Sequence, residues 1–181
     1  ALASLKPLAR PFTNPNILKI FHACSQDMEI LLRETGVLPA PVFDTQIAAT
    51  LLGKNQQPSY ALLVSQYCDV ELAKKDSFTD WSRRPLSPSQ IRYAAEDVLY
   101  LPEIHEKMVE ALKSKDRLAW LTESFEELSE PDRYITDPYT RFLKLKRVNQ
   151  LKNHQLAAAR EVAAWRELEA QNRNIPRKGI P

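Results

Sequence analysis

Three residues of this sequence have side chains and spacing that suit metal-assisted hydrolysis. Tyr93 and Asp97 are four residues apart in a segment with a helical pattern, so their side chains stack on one helical face and can share a site. Asp27 lies seventy residues before Asp97 and supplies a second carboxylate. A phenol and two carboxylates together favour hydrolysis of phosphodiesters, although that chemistry usually needs more carboxylates than two.

Each of these residues also has an ordinary explanation. An aspartate in the first turn of a helix, the expected place of Asp27, is stabilised by the amide groups and the dipole there. Tyr93 and Asp97 by themselves are also typical of a solvated helix face. The three residues alone therefore leave both interpretations open.

Two further residues, His22 and Arg84, are candidates for binding a substrate. His22 lies at the end of an apolar strand, where a buried and hydrogen-bonded histidine is the ordinary alternative. Arg84 can contact a substrate phosphate, or it can hold the local structure beside Trp81. The sequence does not decide between these roles.

The glycine, histidine and cysteine contents exclude several other kinds of site. The three glycines are far apart, so no glycine-rich loop can cradle a phosphate. The three histidines fall in separate segments without the spacing of a zinc helix, and the two cysteines lack paired metal-ligand spacing. A catalytic metal ion would therefore be held mainly by oxygen ligands.

The length and composition predict one soluble core with a small additional part. The chain has 181 residues, of which 44% are hydrophobic. No stretch approaches the roughly 18 to 20 apolar residues that span a bilayer, and the first residues lack the features of a secretion signal. We expect a cytoplasmic protein without a membrane partner.

Charge divides the sequence into two unlike parts. Residues 139–181 hold ten Lys and Arg against three Glu, a net charge of +7, so the first 138 residues carry −5 of the total of +2. Such asymmetry is a weak indication of a polyanionic partner. A solvated helix rich in basic side chains explains the charge equally well.

The elements that must position Asp27 are predicted to alternate in type. The pattern gives a buried strand at 17–21, a helix from a Ser25 cap to Gly36, a brief strand at 39–43, and a helix at 46–52 with Asp44 and Thr45 as cap candidates. Such alternation favours an α/β layer in which helices back the strands.

The helix that carries Tyr93 and Asp97 has clear start and stop signals. Ser87 is its predicted cap, Pro88 its first residue, and Pro102 interrupts it. The predicted core stripe, from which Tyr93 and Asp97 point away, consists of Ile91, Ala94, Ala95 and Val98. The other predicted elements are a helix at 60–67 capped by Ser59, an irregular crossing at 69–85, and helices at 103–113, 118–128, 140–150 and 154–172.

Several ordered segments together resemble the ribonuclease D family of the DEDD exonuclease superfamily, in its tyrosine-bearing branch. The similarity runs from about residue 17 to residue 105 and is carried by residues 22–27, 43–49, 80–81, 84–86, Gln90, 93–94 and 97–98. Residues 148–181 resemble the beginning of an HRDC-type helical nucleic-acid-binding domain. The resemblance implies a partial exonuclease domain at 1–138, and a linker helix with the start of the HRDC domain at 139–181.

The resemblance implies a fold and a set of roles. The fold is the ribonuclease H-like α/β exonuclease fold, a mixed sheet with helices on its faces, and the cofactors are two divalent ions, Mg²⁺ or Mn²⁺. Asp27 and Asp97 would be metal ligands, and the Tyr93 hydroxyl would orient the attacking water. The expected activity is 3′–5′ exoribonuclease cleavage of RNA with a free 3′ end, including tRNA precursors, with release of 5′-mononucleotides.

The sequence also departs from the family pattern. The first acidic motif of the family would lie before Ala1, so we expect that the N-terminal strands are missing and that the chain is a piece of a longer enzyme. The isolated chain is expected to be nearly inactive. A sheet without those strands would expose an edge, which favours association with the missing N-terminal segment or with a second copy.

Two other functions stay open. The basic residues of 139–181 are compatible with a nucleic-acid-binding module without catalysis. DNA 3′–5′ exonuclease activity is compatible with the same three residues, because metal ligands do not distinguish ribose from deoxyribose.

Overall fold

The computed structural model describes residues 4–53, 57–72, 79–135, 137–173 and 175–180. The chain divides into two compact units, Ala1–Pro131 and Asp132–Pro181. The domain boundary that the sequence places after residue 138 stays a prediction.

The first unit is built on two parallel strands, β1 (Lys19–Phe21) and β2 (Val42–Asp44). Ile20 lies opposite Phe43, and helix α2 (Ser25–Thr35) makes the crossover that parallel neighbours require. Helix α3 (Thr45–Leu51) follows β2 directly. The predicted order of strand, helix, strand, helix is confirmed, and with it the α/β class.

Strand β1 is shorter than the sequence predicts. Ile17 and Leu18 were expected in a buried strand, but they lie outside β1 and are 44% and 40% exposed. The reason is a turn in which the amide of Ile17 donates to the carbonyl of Asn14. The Lys19 ammonium then donates to the carbonyls of Asn14, Ile17 and Ala40, which fixes the turn before the strand begins.

The described part of the first unit also contains a 3₁₀ turn at Lys6–Leu8 and several further helical segments. These segments are α1 (Ala9–Thr13), α4 (Tyr60–Cys68), α5 (Pro88–Leu99), α6 (Leu101–Ser114), a 3₁₀ turn at Leu118–Trp120 and α7 (Leu121–Leu128). The core lies between β2, α3, α4 and α6, and its fully buried side chains include Leu63, Ile104 and Met108. The ring of Phe43 packs edge-on against His105, with ring centroids 4.6 Å apart, so strand β2 is fixed to α6.

Helix α2 does not begin as predicted. Ser25 is its first helical residue, so Cys24 is the N-cap, and the Cys24 side chain makes no capping hydrogen bond. Instead the buried Asp44 carboxylate accepts hydrogen bonds from the amides of Ala23 and Cys24, at 3.2 and 2.8 Å. The end of α2 follows the prediction, because Gly36 is its C-cap in the left-handed region with φ of +79°.

Helix α5 begins as predicted but buries a different face. Ser87 caps it and Pro88 is its first residue, whereas Ile91 and Val98 of the predicted core stripe are 57% and 58% exposed. The buried residue is Gln90, and Tyr93 on the same side is half-buried. Polar contacts described below hold that side inward, so the apolar stripe is left at the surface.

The second unit contains helix α8 (Asn153–Arg173) and 3₁₀ segments at Pro138–Lys144, Val148–Gln150 and Arg177–Gly179. The predicted helix at 154–172 is confirmed, but the one at 140–150 is wrong. Leu145 is extended with ψ of 138°, and Arg147 has φ of +64°, which a right-handed helix cannot contain. The buried Glu167 carboxylate lies 3.3 Å from both Arg141 and Arg177 and ties these segments to α8.

Candidate active site

The N-terminus of α5 fixes the direction in which Tyr93 and Asp97 point. The Ser87 hydroxyl accepts from the amide of Gln90 at 3.2 Å, and the Gln90 carboxamide oxygen accepts from the amide of Ser87 at 2.9 Å. This reciprocal pair is a capping box, which satisfies two amides that a helix start leaves without partners. Because the first turn of α5 is held, the positions of Tyr93 and Asp97 further along the same helix are held too.

Gln90 also fixes the loop that lies over Tyr93. Its side-chain amide donates to the Thr79 hydroxyl and to the carbonyl of Asp80, both at 3.1 Å. The next residue, Trp81, places its ring 5.9 Å from the ring of Tyr93. Tyr93 is therefore a half-buried phenol held by a ring contact, and not simply a residue on a solvated helix face.

Asp97 is exposed one turn further along α5. Partial burial raises the pKa of its carboxyl above the ordinary value, and the neighbouring charge of Glu96 raises it further. Both effects disfavour the ionised carboxylate, and a cation close to the oxygens would reverse them.

The hydroxyl of Tyr60 lies against the backbone beside Asp97. It donates to the carbonyl of Glu96 at 3.0 Å and accepts from the amide of Tyr100 at 3.3 Å. Burial raises the pKa of Tyr60 to about 12, and the charge of Asp97 contributes to the rise. The hydroxyl thus stays protonated at neutral pH and remains a donor.

His22 also packs on Tyr60, with ring centroids 5.6 Å apart. Its Nδ1 is 2.9 Å from the hydroxyl of Thr45. Burial lowers the pKa of His22, although the charge of Asp44 and a hydrogen bond to the Pro58 carbonyl act in the opposite direction. The half-buried imidazole has hydrogen-bond partners within the fold, and its assignment to substrate binding stays a prediction.

Asp27 occupies the first turn of α2 and is exposed. Burial raises the pKa of its carboxyl, and the charge of Asp44 raises it further. Asp27 and Asp97 therefore share an electrostatic property. In both, the surroundings raise the pKa and disfavour the ionised carboxylate. Their roles as metal ligands stay predictions.

Arg84 is exposed in the loop before α5. Its guanidinium donates to the carbonyls of Trp81 and Arg83, at 2.8 and 2.9 Å. These contacts correspond to the structural role beside Trp81 that the sequence left open. Contact with a substrate phosphate stays a prediction. Residues 73–78 of the predicted irregular crossing lie outside the described residues.

The candidate ligands are of the type that divalent cations prefer, but they are too few to complete a site. The carboxylates of Asp27 and Asp97 are hard oxygen donors of the type that Mg²⁺ and Mn²⁺ prefer. Across the described ranges, no group of three or more His, Cys, Asp or Glu residues is arranged to hold a metal ion. Metal binding by Asp27 and Asp97 therefore stays a prediction.

Sequence reasoning missed contacts of three residues that organise this region. Gln90 could have been found from the Ser87-x-x-Gln90 spacing, which is a capping-box signal. Asp44 was expected as a cap of α3, a role it has, since it accepts from the amides of Gln46 and Ile47. Its bonds to the turn before α2, and the bonds of the Tyr60 hydroxyl, join segments that are distant in sequence and leave no local signal.

The second unit presents a basic cleft of its own. The cleft has a volume of about 480 Å³ and is lined by Arg166, Pro176, Arg177 and Lys178. Arg177 forms an ion pair with Glu167, whereas Arg166 and Lys178 add positive charge to the lining of the cleft. Among the residues that the structure describes, no helix combines the length and the apolar content needed to cross a membrane.

Comparisons with known proteins place the chain in a family. A family model described as a 3′–5′ exonuclease matches residues 1–113. Ribonuclease D of Zymomonas mobilis subsp. mobilis is 47% identical over 167 residues, which cover 92% of this chain and 43% of the relative. The chain spans less than half the length of the curated relatives it matches.

Solved structures agree with this result. The crystal structure of Escherichia coli RNase D, described as an exoribonuclease involved in structured RNA processing, matches with a TM-score of 0.86 at 34% identity, over 97% of this chain and 47% of that one. Brucella melitensis NrnC with bound Mg²⁺ matches with a TM-score of 0.62 at 30% identity, over 70% of this chain and 61% of that one. Since the exonuclease model covers more than half of the chain and ribonucleases D are similar to nearly all of it, this chain belongs to the ribonuclease D family of 3′–5′ exonucleases.

Proposed function

We propose that this chain forms part of the active site of a metal-dependent 3′–5′ exoribonuclease. The enzyme removes nucleotides from RNA 3′ ends, including those of tRNA precursors, and releases 5′-mononucleotides. The observation that carries the proposal is the arrangement of α5, on which a capping box and two tyrosine contacts fix Tyr93 and Asp97. Membership of the ribonuclease D family supports the same activity.

The proposed roles follow from the chemistry of the side chains. Asp27 and Asp97 hold divalent ions, Mg²⁺ or Mn²⁺, which when bound stabilise the charge that develops on the phosphate and activate water. The raised pKa values of both carboxyls support this role, because a bound cation removes the cost of ionising them. The Mg²⁺ in the related NrnC structure supports the choice of ion.

Tyr93 orients the attacking water through its hydroxyl. A tyrosine hydroxyl is a hydrogen-bond partner at neutral pH and not a strong base. The ring contact with Trp81 limits the directions in which the hydroxyl can point. Arg84 and His22 are proposed to contact the bound RNA. Arg84 would interact through its positive charge and His22 through its ring.

The small number of carboxylate ligands limits the activity that we expect of the isolated chain. Two carboxylates do not balance the charge of two divalent ions, so we propose that these 181 residues are nearly inactive alone. Association with a further segment or a second copy, through the edge of the β1–β2 sheet, would supply more of the site. The two-strand sheet of the described residues supports this idea, because its edges can pair.

Replacing Asp97 with asparagine in the full-length protein tests the proposal. The change removes a charged oxygen donor while keeping the size of the side chain, so turnover of a 3′-end-labelled RNA should fall at least about 100-fold. The melting temperature of the metal-free protein at pH 7 should not fall. Because the folded-state pKa of Asp97 is raised, its ionised form destabilises the fold above that pKa, and the asparagine variant lacks this cost.

The matched control is Asp116→Asn. Asp116 is exposed after α6 and has φ of +54°, a conformation that asparagine accepts. This variant should cleave RNA at the wild-type rate. Undiminished turnover in Asp97→Asn would reject the metal-ligand role, and preferential digestion of a DNA 3′ end by the wild type would replace the proposed substrate class.

A second candidate function is nucleic-acid binding by the second unit without catalysis. The observation that favours it is the basic cleft, together with the net charge of +7 on residues 139–181. That segment contains ten basic and three acidic residues. Charges that contact phosphates release counterions, so this binding would depend steeply on salt.

A further inference from the structure

The α5–α6 junction contains an unusual backbone contact. In an uninterrupted α-helix the amide of Tyr100 donates directly to the carbonyl of Glu96, four residues earlier. Here the hydroxyl of Tyr60 bonds to both groups, donating to the Glu96 carbonyl at 3.0 Å and accepting from the Tyr100 amide at 3.3 Å. The Tyr100 amide also bonds to the carbonyl of Val98, so one side chain from α4 bridges two backbone groups at this junction.

The sequence explains why the junction needs an outside partner. Pro102 has no amide hydrogen, and α5 ends at Leu99 while α6 begins at Leu101. The last carbonyls of a helix lack partners within it, so those at the end of α5 must bond to other groups. Tyr60 supplies one such group from the first residue of α4, a helix that packs against α6.

The carbonyl that Tyr60 binds belongs to the peptide group joining Glu96 to Asp97. A hydrogen bond to that oxygen therefore limits rotation of the backbone immediately before the Asp97 side chain. The charge of Asp97 also contributes to the raised pKa of the Tyr60 hydroxyl.

The same tyrosine also contacts the strand side of the candidate site. Its ring lies 5.6 Å from the ring of His22, which follows β1, and His22 is held in turn by the Thr45 hydroxyl at 2.9 Å. Asp27 lies five residues after His22. Tyr60 thus joins the backbone of Asp97 to the segment that leads to Asp27.

We propose that Tyr60 is a positioning residue that fixes Asp97 for cation binding, an inference that rests on the proposed role of Asp97. Without the hydroxyl, the Glu96 carbonyl and the Tyr100 amide lose their shared partner and the α5–α6 junction becomes looser. The Asp97 carboxylate then samples more orientations, and the cation is bound less tightly.

Tyr60→Phe in the full-length protein tests the inference, because it removes the hydroxyl and keeps the ring against His22. Titration with Mn²⁺ in the absence of RNA should give a dissociation constant about 10-fold higher than wild type, the effect expected for losing a group that orients a ligand. Hydrogen exchange should accelerate in residues 96–101. The RNA cleavage rate should fall at low Mn²⁺ and recover at saturating Mn²⁺, with KM for RNA unchanged.

Two controls decide how the result is understood. Tyr100→Phe removes a phenol at the same junction but keeps the amide that Tyr60 contacts, so its Mn²⁺ affinity should equal that of wild type. Residues 104–112 of the α6 core report whether the fold is intact. If their exchange protection is lost in Tyr60→Phe, the hydroxyl supports the whole fold and the specific positioning role is rejected.

The remaining outcomes separate this inference from the proposed function. Wild-type Mn²⁺ affinity and exchange in Tyr60→Phe, alongside lost Mn²⁺ binding in Asp97→Asn, would overturn the role of Tyr60 alone. Wild-type Mn²⁺ binding in Asp97→Asn would instead remove Asp97 from the site, and the inference would fail together with that assignment.

Discussion

Tyr93 and Asp97 share one helix but have different surroundings. Tyr93 is half-buried and its ring packs on Trp81, whereas Asp97 is exposed and has a raised pKa. The phenol therefore has a restricted direction, and the carboxylate has an electrostatic reason to bind a cation. This difference agrees with separate roles in positioning water and in holding metal.

Tyr93→Phe isolates the hydroxyl from the ring. The phenylalanine ring can keep its packing on Trp81, 5.9 Å away, so the fold and the Mn²⁺ affinity should be unchanged. The value of kcat for RNA should fall about 100-fold, the lower range for losing a group that assists proton transfer or orients water. Single-turnover cleavage under saturating Mn²⁺ measures this change.

The control for this variant is Tyr139→Phe in the second unit. Its ring can keep the contact with the Arg160 guanidinium, which lies 5.2 Å from the ring centroid, and its turnover should match wild type. Equal single-turnover rates for Tyr93→Phe and wild type would eliminate the water-orienting role.

At the scale of elements, α5 is held by polar contacts on one side. Gln90 bonds to Ser87 and to the loop at 79–80, and the Tyr60 hydroxyl bonds to the Glu96 carbonyl further along. These groups bury the polar side of the helix, while Ile91 and Val98 lie on an exposed apolar side. The helix thus presents Tyr93 and Asp97 through capping and hydrogen bonds and not through an apolar stripe in the described core.

Ser87→Ala tests how far the cap holds α5. Loss of the N-cap hydroxyl should destabilise the helix start by about 1 kcal/mol. Hydrogen exchange at residues 89–92 should therefore become about 5-fold faster, because 1.4 kcal/mol corresponds to a factor of ten. Exchange in the α6 core should be unaffected.

A serine at the other end of the neighbouring helix provides the control. The Ser114 hydroxyl donates to the carbonyl of Ala111 near the end of α6, and it caps no helix start. Ser114→Ala should leave exchange in α5 unchanged. Unaltered exchange at 89–92 in Ser87→Ala would mean that tertiary contacts, and not the cap, fix this helix.

At the scale of the whole molecule, charge and candidate chemistry are in different compact units. The carboxylates and the phenol belong to the first unit, whereas residues 139–181, all in the second unit, carry ten basic and three acidic residues. A division of this kind permits binding of a polyanion without cleavage. Binding and catalysis should therefore be separable in the 181-residue chain.

We expect the isolated chain to bind single-stranded RNA without digesting it. Its affinity should fall as salt increases, and Arg166→Gln with Lys178→Gln should reduce the slope of log affinity against log salt by about 1 to 2, since each phosphate contact contributes about 0.7 for a single strand. Fluorescence anisotropy of a labelled RNA at several salt concentrations measures this slope.

Lys6→Gln with Arg10→Gln is the matched control, because both residues are exposed basic side chains of the first unit. This pair should leave the slope closer to the wild-type value. An equal loss of slope in both double variants would assign binding to overall charge, and Mn²⁺-dependent digestion by the isolated chain would contradict the incomplete site.

The sequence by itself determined the elements that depend on neighbouring residues. The start of α5 at Ser87 and Pro88, its interruption near Pro102 and the end of α2 at Gly36 follow from capping, ring sterics and positive φ, and all three are found in the structure. The order of Asp27, Tyr93 and Asp97 also indicated the family that the comparisons confirm. Local preferences need only a few adjacent residues, so they can be seen in a sequence.

Only the tertiary structure decided which groups meet across the chain. It placed the Tyr60 hydroxyl between Glu96 and Tyr100, and it turned Gln90 inward where the sequence favoured Ile91 and Val98. These contacts join residues separated by tens of positions, and their geometry depends on how strands and helices pack. Periodicity gives the faces of a helix, but the neighbour that covers a face determines which one is buried.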